Sequence, residues 1–290
     1  MEVKHQMEIQ MKLSKITLYS SLAFSVLTSS AFAHQPVMKD TMPIVVPGKF
    51  YVGVFGGGGA TDNINASQYG TAFFTAAAGG PLAVNGFGRV NSNSTWLAGA
   101  QVGYQVPAIP LCAEYQWSFA PAFELEGFYL GKSNFTGDLI NTTTRLPEHD
   151  FSVTYPMDST VLLANVVLNF DKAGFMFHPY IGGGFGGAVV QISGANSKQI
   201  APLEVGINHY NANTSDTAPT FAGQFKAGLS YDFNSFVSIF AEYRYLYLAR
   251  THFTFGSTVY PIHVPTTSWE VTLNNQNYNL GVAGIRFNLS

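Results

Sequence analysis

The stretch Val237–Tyr247, V-S-I-F-A-E-Y-R-Y-L-Y, alternates in a way that few folds can accept. One face carries Val237, Ile239, Ala241, Tyr243, Tyr245 and Tyr247, and the other carries Glu242 and Arg244. A period of two marks a β-strand, whose successive side chains point to opposite faces. A soluble sandwich would need water on the charged face, yet the chain has little charge to spend on a wet surface. Only 11% of its 290 residues are charged, against about 25% in ordinary soluble domains. Beyond the N-terminus no apolar run reaches the roughly 18 residues that a membrane helix requires. Backbone polar groups inside a bilayer must all be paired within the protein, so a closed β-barrel is the spanning architecture left. Lipid outside and charge inside then explains the alternation.

The same dyad recurs along the chain. Phe123, Leu125 and Tyr129 alternate with Glu124 and Glu126, and Phe225, Ala227, Leu229 and Tyr231 alternate with Gln224, Lys226 and Ser230. Eight strands are read near Lys49–Gly57, Ser94–Val106, Ala120–Gly131, Ser159–Phe170, Phe175–Val190, Thr220–Phe233, Phe236–Arg250 and Tyr278–Leu289. Each is long enough to cross a hydrocarbon layer at a tilt, which takes roughly 9–11 residues. The strand around Val161–Phe170 alternates less cleanly and its faces are not assigned. The last stretch, Gln276–Ser290, is a long apolar strand that would invite aggregation if its edge stayed open. The similar stretch Gly48–Phe55 is expected to close the barrel against it.

The connections set the topology. Asp171–Gly174 and Asn234-Ser235 are tight turns, and Pro107–Ser118, which holds the single Cys112, is a somewhat longer one. The alternate connections, Gly58–Asn93, Lys132–Asp158, Gln191–Pro219 and Thr251–Asn277, are long and rich in Asn, Thr, Ser and Gly. Short periplasmic turns and long extracellular loops are the habit of outer-membrane barrels, which puts both termini on the periplasmic side and four long loops outside. Phe170, Phe175, Phe177, Phe233, Phe236 and Phe287 all fall at the periplasmic ends, where an aromatic girdle is expected. The expected fold is therefore all-β, an eight-stranded antiparallel transmembrane barrel. Ten strands are the alternative, because Tyr69–Thr75 and Leu82–Val90 can form a further hairpin, expected to stand above the membrane.

The N-terminus reads as a targeting segment. Lys12 and Lys15 precede the apolar run Ile16–Leu27, and Ala31-Phe32-Ala33 supplies small residues for cleavage after Ala33. Residues 1–33 are expected to be a bacterial-type signal peptide, with Met1–Gln10 as an upstream extension, residues 34–47 a periplasmic linker, and residues 48–290 the barrel.

The signal, the eight strands, the short turns, the four long loops and the final Gly284-x-x-Phe287-x-Leu289 together resemble the small outer-membrane barrels of the OmpA/OmpX and opacity-protein type, porin-like surface antigens of Gram-negative bacteria. The resemblance covers about Gly48–Ser290. It implies a bacterial outer-membrane location, contact with outer-membrane lipid, and an assembly signal at Gly284, Phe287 and Leu289 read by the barrel-assembly machinery. Val282 stands where that signal usually has a polar residue, and Leu289 where it has an aromatic one. It also implies a charge network in the barrel interior.

Candidate sites follow from the inward faces. Glu124, Glu126, Lys226, Glu242, Arg244 and Arg286 come from faces read as pointing into a narrow lumen, where an unpaired charge is costly to bury. They are expected to pair across the lumen. Gly182–Gly187 satisfies G-x-G-x-x-G, but strand-like residues follow it instead of a helix, so no nucleotide cofactor is expected. Gly56–Gly59 reads as a strand end entering a loop. His209, His252 and His263 fall on predicted loops without a metal-binding spacing, and His178 lies near the periplasmic end, so neither a metal nor catalysis is expected. A net charge of −3 without a basic stripe does not suit nucleic acid. The expected function is a structural or surface-interaction role through the extracellular loops, toward a host or envelope ligand. A narrow porin for small solutes is the alternative, and an outer-membrane lipid-modifying enzyme a less favoured one. Eight strands favour the first, since they enclose an interior that side chains just fill.

Overall fold

A computed structural model describes residues 48–289 apart from 93, 113–116, 142–149 and 173. The expected signal peptide, its cleavage residues Ala31 and Ala33, and the whole expected linker lie outside the described residues.

Among the described residues there are fourteen strands: β1 (Lys49–Thr61), β2 (Ile64–Ala72), β3 (Leu82–Asn91), β4 (Thr95–Gln105), β5 (Ile109–Cys112), β6 (Trp117–Asn141), β7 (Asp150–Lys172), β8 (Phe177–Ser193), β9 (Asn196–Ala201), β10 (Ser215–Asp232), β11 (Val237–Leu248), β12 (Thr251–Phe255), β13 (Trp269–Leu273) and β14 (Gln276–Leu289). Eight of them close a ring by antiparallel pairing, β1-β4-β6-β7-β8-β10-β11-β14 and back to β1. The closing seam pairs Phe50 with Leu289 and Thr61 with Tyr278, so no edge is left open along it. Of the remaining strands β5 pairs with the start of β6 at the turn end, and the others lie at the loop end of the ring. The hairpin β2–β3 joins the upper part of β6, β13 adds to β2 and β12 to β13, while β9 adds to the upper part of β7.

Lengths differ from the sequence reading most in β6 and β7, which have 25 and 23 residues. At roughly 3.3 Å per residue β6 runs about 80 Å, whereas a tilted strand crosses an apolar band of about 25 Å in some 10 residues. Much of Lys132–Asp158 is therefore strand and not loop, and β1 likewise runs on through Gly56–Gly59 to Thr61. The cause is visible along β6. In its lower half Phe123, Leu125 and Tyr129 are exposed while Glu124, Glu126 and Phe128 are buried. A register shift falls between Leu130 and Ser133. Beyond it the polarity reverses, so that Asn134, Thr136 and Asp138 face out while Phe135 and Leu139 are buried. β7 follows suit, with Leu162 and Val166 exposed below and Val153, Tyr155 and Met157 buried above. Alternation persists while its sense inverts, because the outer medium changes from lipid to water.

The apolar outer band carries Val52, Val102, Leu125, Leu162, Phe225 and Ile239, all exposed. At the turn end the rings of Phe175 and Phe177, Phe177 and Tyr231, Tyr231 and Phe233, and Phe236 and Phe287 lie 4.9–6.0 Å apart. Phe50 and Tyr104, at 4.7 Å, extend this belt across β1 and β4. Rings with an apolar body and a tolerance for polar surroundings suit the headgroup level.

Beyond the ring the loop end has a core of its own. Tyr155, Tyr210 and Phe255 stack at 4.7–6.4 Å, and Phe151, Trp269 and Leu273 are buried beside them. Gln68 receives hydrogen bonds from Ser197 and Tyr210, and the hydroxyls of Tyr155 and Tyr210 are 3.0 Å apart. Burial holds the Tyr155 and Tyr210 hydroxyls well above the usual tyrosine range.

Candidate functional site: the charged lumen

The membrane-level part of the ring is crossed by charge. Glu124 and Glu126 stand on the inward face of β6, Lys226 on β10, Glu242 and Arg244 on β11, and Arg286 on β14. Lys226 Nζ contacts Glu124 Oε1 and lies 3.3 Å from Glu126 Oε2. The Arg244 guanidinium faces Glu126 through both terminal nitrogens, at 2.8 and 3.4 Å, and reaches Glu242 from its other side. These five side chains are fully shielded from solvent. Arg286 is placed differently. Its nearest carboxylate contact is 3.9 Å, to Glu124, and its guanidinium lies 4.6–5.2 Å from the ring centres of Phe240, Tyr180 and Tyr51. It is held by aromatic faces more than by an ion pair.

Three carboxylates thus meet three cations, so the cluster is neutral as a whole. Neutral partners complete it. Tyr51 donates to Glu124 at 2.9 Å and Tyr180 to Glu242 at 2.8 Å. Gln224 donates to Glu126 at 2.6 Å and to Asn165 at 2.8 Å, and Asn165 donates on to Glu124 at 3.3 Å. Sequence reasoning missed Tyr51, Tyr180 and Asn165, although Tyr51 and Asn165 alternate with apolar neighbours as inward residues do. Above the cluster Arg244 lies 4.7 Å from the ring centre of Phe55 and 5.2 Å from that of Phe128, so aromatic side chains cap it.

The glycine-rich β8 makes room for these groups. A Cβ built on Gly184 would lie 2.0 Å from Asn165 Oδ1, and one on Gly228 of β10 would lie 2.7 Å from both the Tyr180 ring and Glu242 Cβ. The G-x-G-x-x-G of Gly182–Gly187 is thus lumen space opposite long polar side chains, which is how a narrow barrel fits a filled interior.

At the turn end His178 Nδ1 is 2.8 Å from Asp171 and Nε2 is 3.4 Å from Asp232. Of the residues expected to form an assembly signal, Phe287 pairs with Val52 and Leu289 with Phe50 across the seam, and a Cβ on Gly284 would meet the Phe240 ring at 2.5 Å. Of the histidines expected on loops, His209 and His263 lie between strands, whereas His252 is in β12.

The sequence profile of the family described as Surface antigen matches residues 152–289, just under half of the chain. No curated protein matches it. Solved structures with a likeness include Neisserial surface protein A, at 14% identity over 81% of this chain and 95% of that one with a TM-score of 0.29. The outer membrane protein OprG from Pseudomonas aeruginosa is 11% identical over 82% and 96%, with a TM-score of 0.38. The outer membrane protease OmpT from Escherichia coli is 7% identical over 86% and 99%, with a TM-score of 0.29. Likenesses this loose transfer no activity. The closed ring and the lipid-facing band make the chain a bacterial outer-membrane β-barrel, similar over residues 152–289 to the family described as Surface antigen.

Proposed function

We propose that the membrane-level ring is a closed anchor and that the work of the protein is done by its extracellular strands and loops, as a surface-interaction protein toward a host or envelope ligand. One observation carries this reading: a cluster of Glu124, Glu126, Lys226, Glu242 and Arg244, fully shielded from solvent and brought to neutrality by Arg286, spans the lumen. Ions would have to displace charge-assisted hydrogen bonds to pass, and buried pairs of that kind are costly to break. The same chain spends five further strands, β2, β3, β9, β12 and β13, on an extracellular structure with its own aromatic core, more than is needed to connect barrel strands. Apolar residues stand exposed on its loops, among them Leu203, Val205, Val259 and Ile262, as surfaces that meet partners often do. The reading is non-enzymatic. His178 is engaged by Asp171 and Asp232 at the periplasmic end, away from the outer leaflet where a lipid-modifying site would sit.

The test is planar-bilayer recording of the refolded full chain. The proposal expects a silent membrane, with brief small openings at most. Steady channels of uniform conductance in the wild-type protein would overturn it in favour of a narrow porin.

A further inference from the structure

Two extracellular connections meet at a cluster that the lumen does not explain. Glu204 and His209 lie between β9 and β10, and His263 lies between β12 and β13. Glu204 Oε2 is 3.4 Å from His209 Nε2 and 3.3 Å from His263 Nε2, and all three ligand atoms lie within 4.8 Å of one another. We infer that Glu204, His209 and His263 form a binding site for one divalent first-row transition cation, zinc above all, that ties the third extracellular connection to the fourth.

Four observations support this. First, the spacing fits. A tetrahedral ion with Zn–N and Zn–O bonds of about 2.0–2.1 Å has ligand-to-ligand edges of about 3.3–3.4 Å, and two edges of the cluster already have that length. The third is closed by a small movement of His263, which lies on the solvent side at 13% exposure, while His209 is fixed at 2%. Second, both imidazoles are turned the right way. His209 Nδ1 is 3.0 Å from the Ser197 carbonyl and His263 Nδ1 is 2.6 Å from the Val264 carbonyl. A carbonyl only accepts, so each Nδ1 carries the proton and in the neutral imidazole each Nε2 presents its lone pair to the cluster, the arrangement by which backbone carbonyls orient metal-bound histidines. Third, two imidazole lone pairs then face a carboxylate oxygen, three acceptors with no donor among them. Glu204 Oε2 is buried without a hydrogen-bond partner among the described residues. A cation at the centre satisfies that carboxylate oxygen. Fourth, the scaffold is rigid without it. Asn211 and Val259 exchange two hydrogen bonds of 2.8 Å, Asn208 N–H donates to Tyr260 Oη, and Thr258 Oγ1 donates to the His209 carbonyl. Phe151 and Trp269 pack edge-on against His209, giving the site an apolar wall.

Imidazole and one carboxylate suit zinc and its neighbours, whereas calcium takes six or more oxygens. Glu204 at 31% exposure provides the route of entry. The residues are 54 positions apart at the widest interval, from His209 to His263, so no sequence spacing announced them.

The experiment uses the refolded full chain without a histidine tag and Zn²⁺ or Co²⁺ alone as the probe. Equilibrium dialysis with metal analysis is expected to give one Zn²⁺ per chain, and Co²⁺ is expected to give the intense visible bands of a tetrahedral site. His263→Ala and Glu204→Gln, both on the solvent side, are each expected to weaken binding by at least about tenfold, with unchanged heat-modifiable mobility on gels as the check of folding. His252→Ala is expected to leave binding unchanged. The inference is overturned if the wild-type chain takes up no stoichiometric metal, or if both site variants bind it as well as wild type does, which would assign the ion to other histidines and the cluster to an ion pair.

Discussion

Arg244 is the residue through which the lumen can best be tested. Its guanidinium holds Glu126 on β6 and Glu242 on its own strand, and Glu242 has only Tyr180 as a further partner among the described contacts. Arg244→Ala therefore leaves a neutral cluster with one uncompensated negative charge in a site shielded from water. Removing one partner of a buried pair costs about 3–5 kcal/mol. For a domain of this size roughly 2–4 °C is lost per kcal/mol, so a fall of about 6–20 °C is expected. Equilibrium urea unfolding in lipid vesicles measures the loss without relying on reversible heating. The internal check is Arg244→Ala/Glu242→Gln. The double variant restores neutrality, since Glu124, Glu126, Lys226 and Arg286 remain, and it should recover a large part of the lost stability. A single variant as stable as wild type, or a double variant less stable than the single, would refute the reasoning, because either result means that water and not Arg244 compensates these carboxylates.

Other expectations concern the outer face and the seam. Leu125→Arg, on the lipid-facing side of β6, should destabilise the inserted barrel by about 2–4 kcal/mol, as a cation near the bilayer midplane does, whereas Thr136→Arg above the register shift should change stability little; paired urea titrations in vesicles compare them. Deleting Phe287–Ser290 removes the partners of Phe50 to Val52 and should sharply reduce heat-modifiable, membrane-inserted protein in cells. Gly184→Leu would press a side chain into Asn165 and the Ala164 carbonyl and should lower the yield of folded barrel in refolding assays. Because burial raises Tyr155 and Tyr210 in the folded state, their neutral forms stabilise the extracellular core fully below the unfolded tyrosine value of about 10, and that contribution is lost as pH climbs above it. Absorbance titration at alkaline pH should show a late phase of tyrosines that ionise only with unfolding, and Tyr155→Phe/Tyr210→Phe should reduce that phase by two tyrosines.

How much of this was legible follows the medium around each residue. Where β11 faces lipid, tyrosine and isoleucine against glutamate and arginine reveal strand, orientation and membrane at once. β7 hid its orientation because Val161, Leu163 and Val167 point inward while Leu162 and Val166 point to lipid, so both faces are apolar. The upper halves of β6 and β7 read as loop because Asn134, Thr136 and Asp138 face water, the usual composition of a connection; the buried Phe135 and Leu139 between them were the surviving signal. The six charges of the lumen were visible from alternation, but which of them touch depends on register across the ring, and Arg286 in its aromatic cage shows that face alone does not give a partner. The cluster of Glu204, His209 and His263 was illegible because the pairing of two separate loops brings it together.

The central claim is that the strands change medium part way up, from lipid around a charged lumen to water around an aromatic core. Nitroxide scanning of β6 tests it most directly, with single cysteines placed in a Cys112→Ser background at 123, 125 and 129 below the register shift and at 134, 136 and 138 above it. The account predicts that the first three sites collide with oxygen dissolved in the bilayer and the last three with a water-soluble nickel chelate. If all six sites prefer the nickel chelate, or all six prefer oxygen, the change of medium between Leu130 and Ser133 is contradicted.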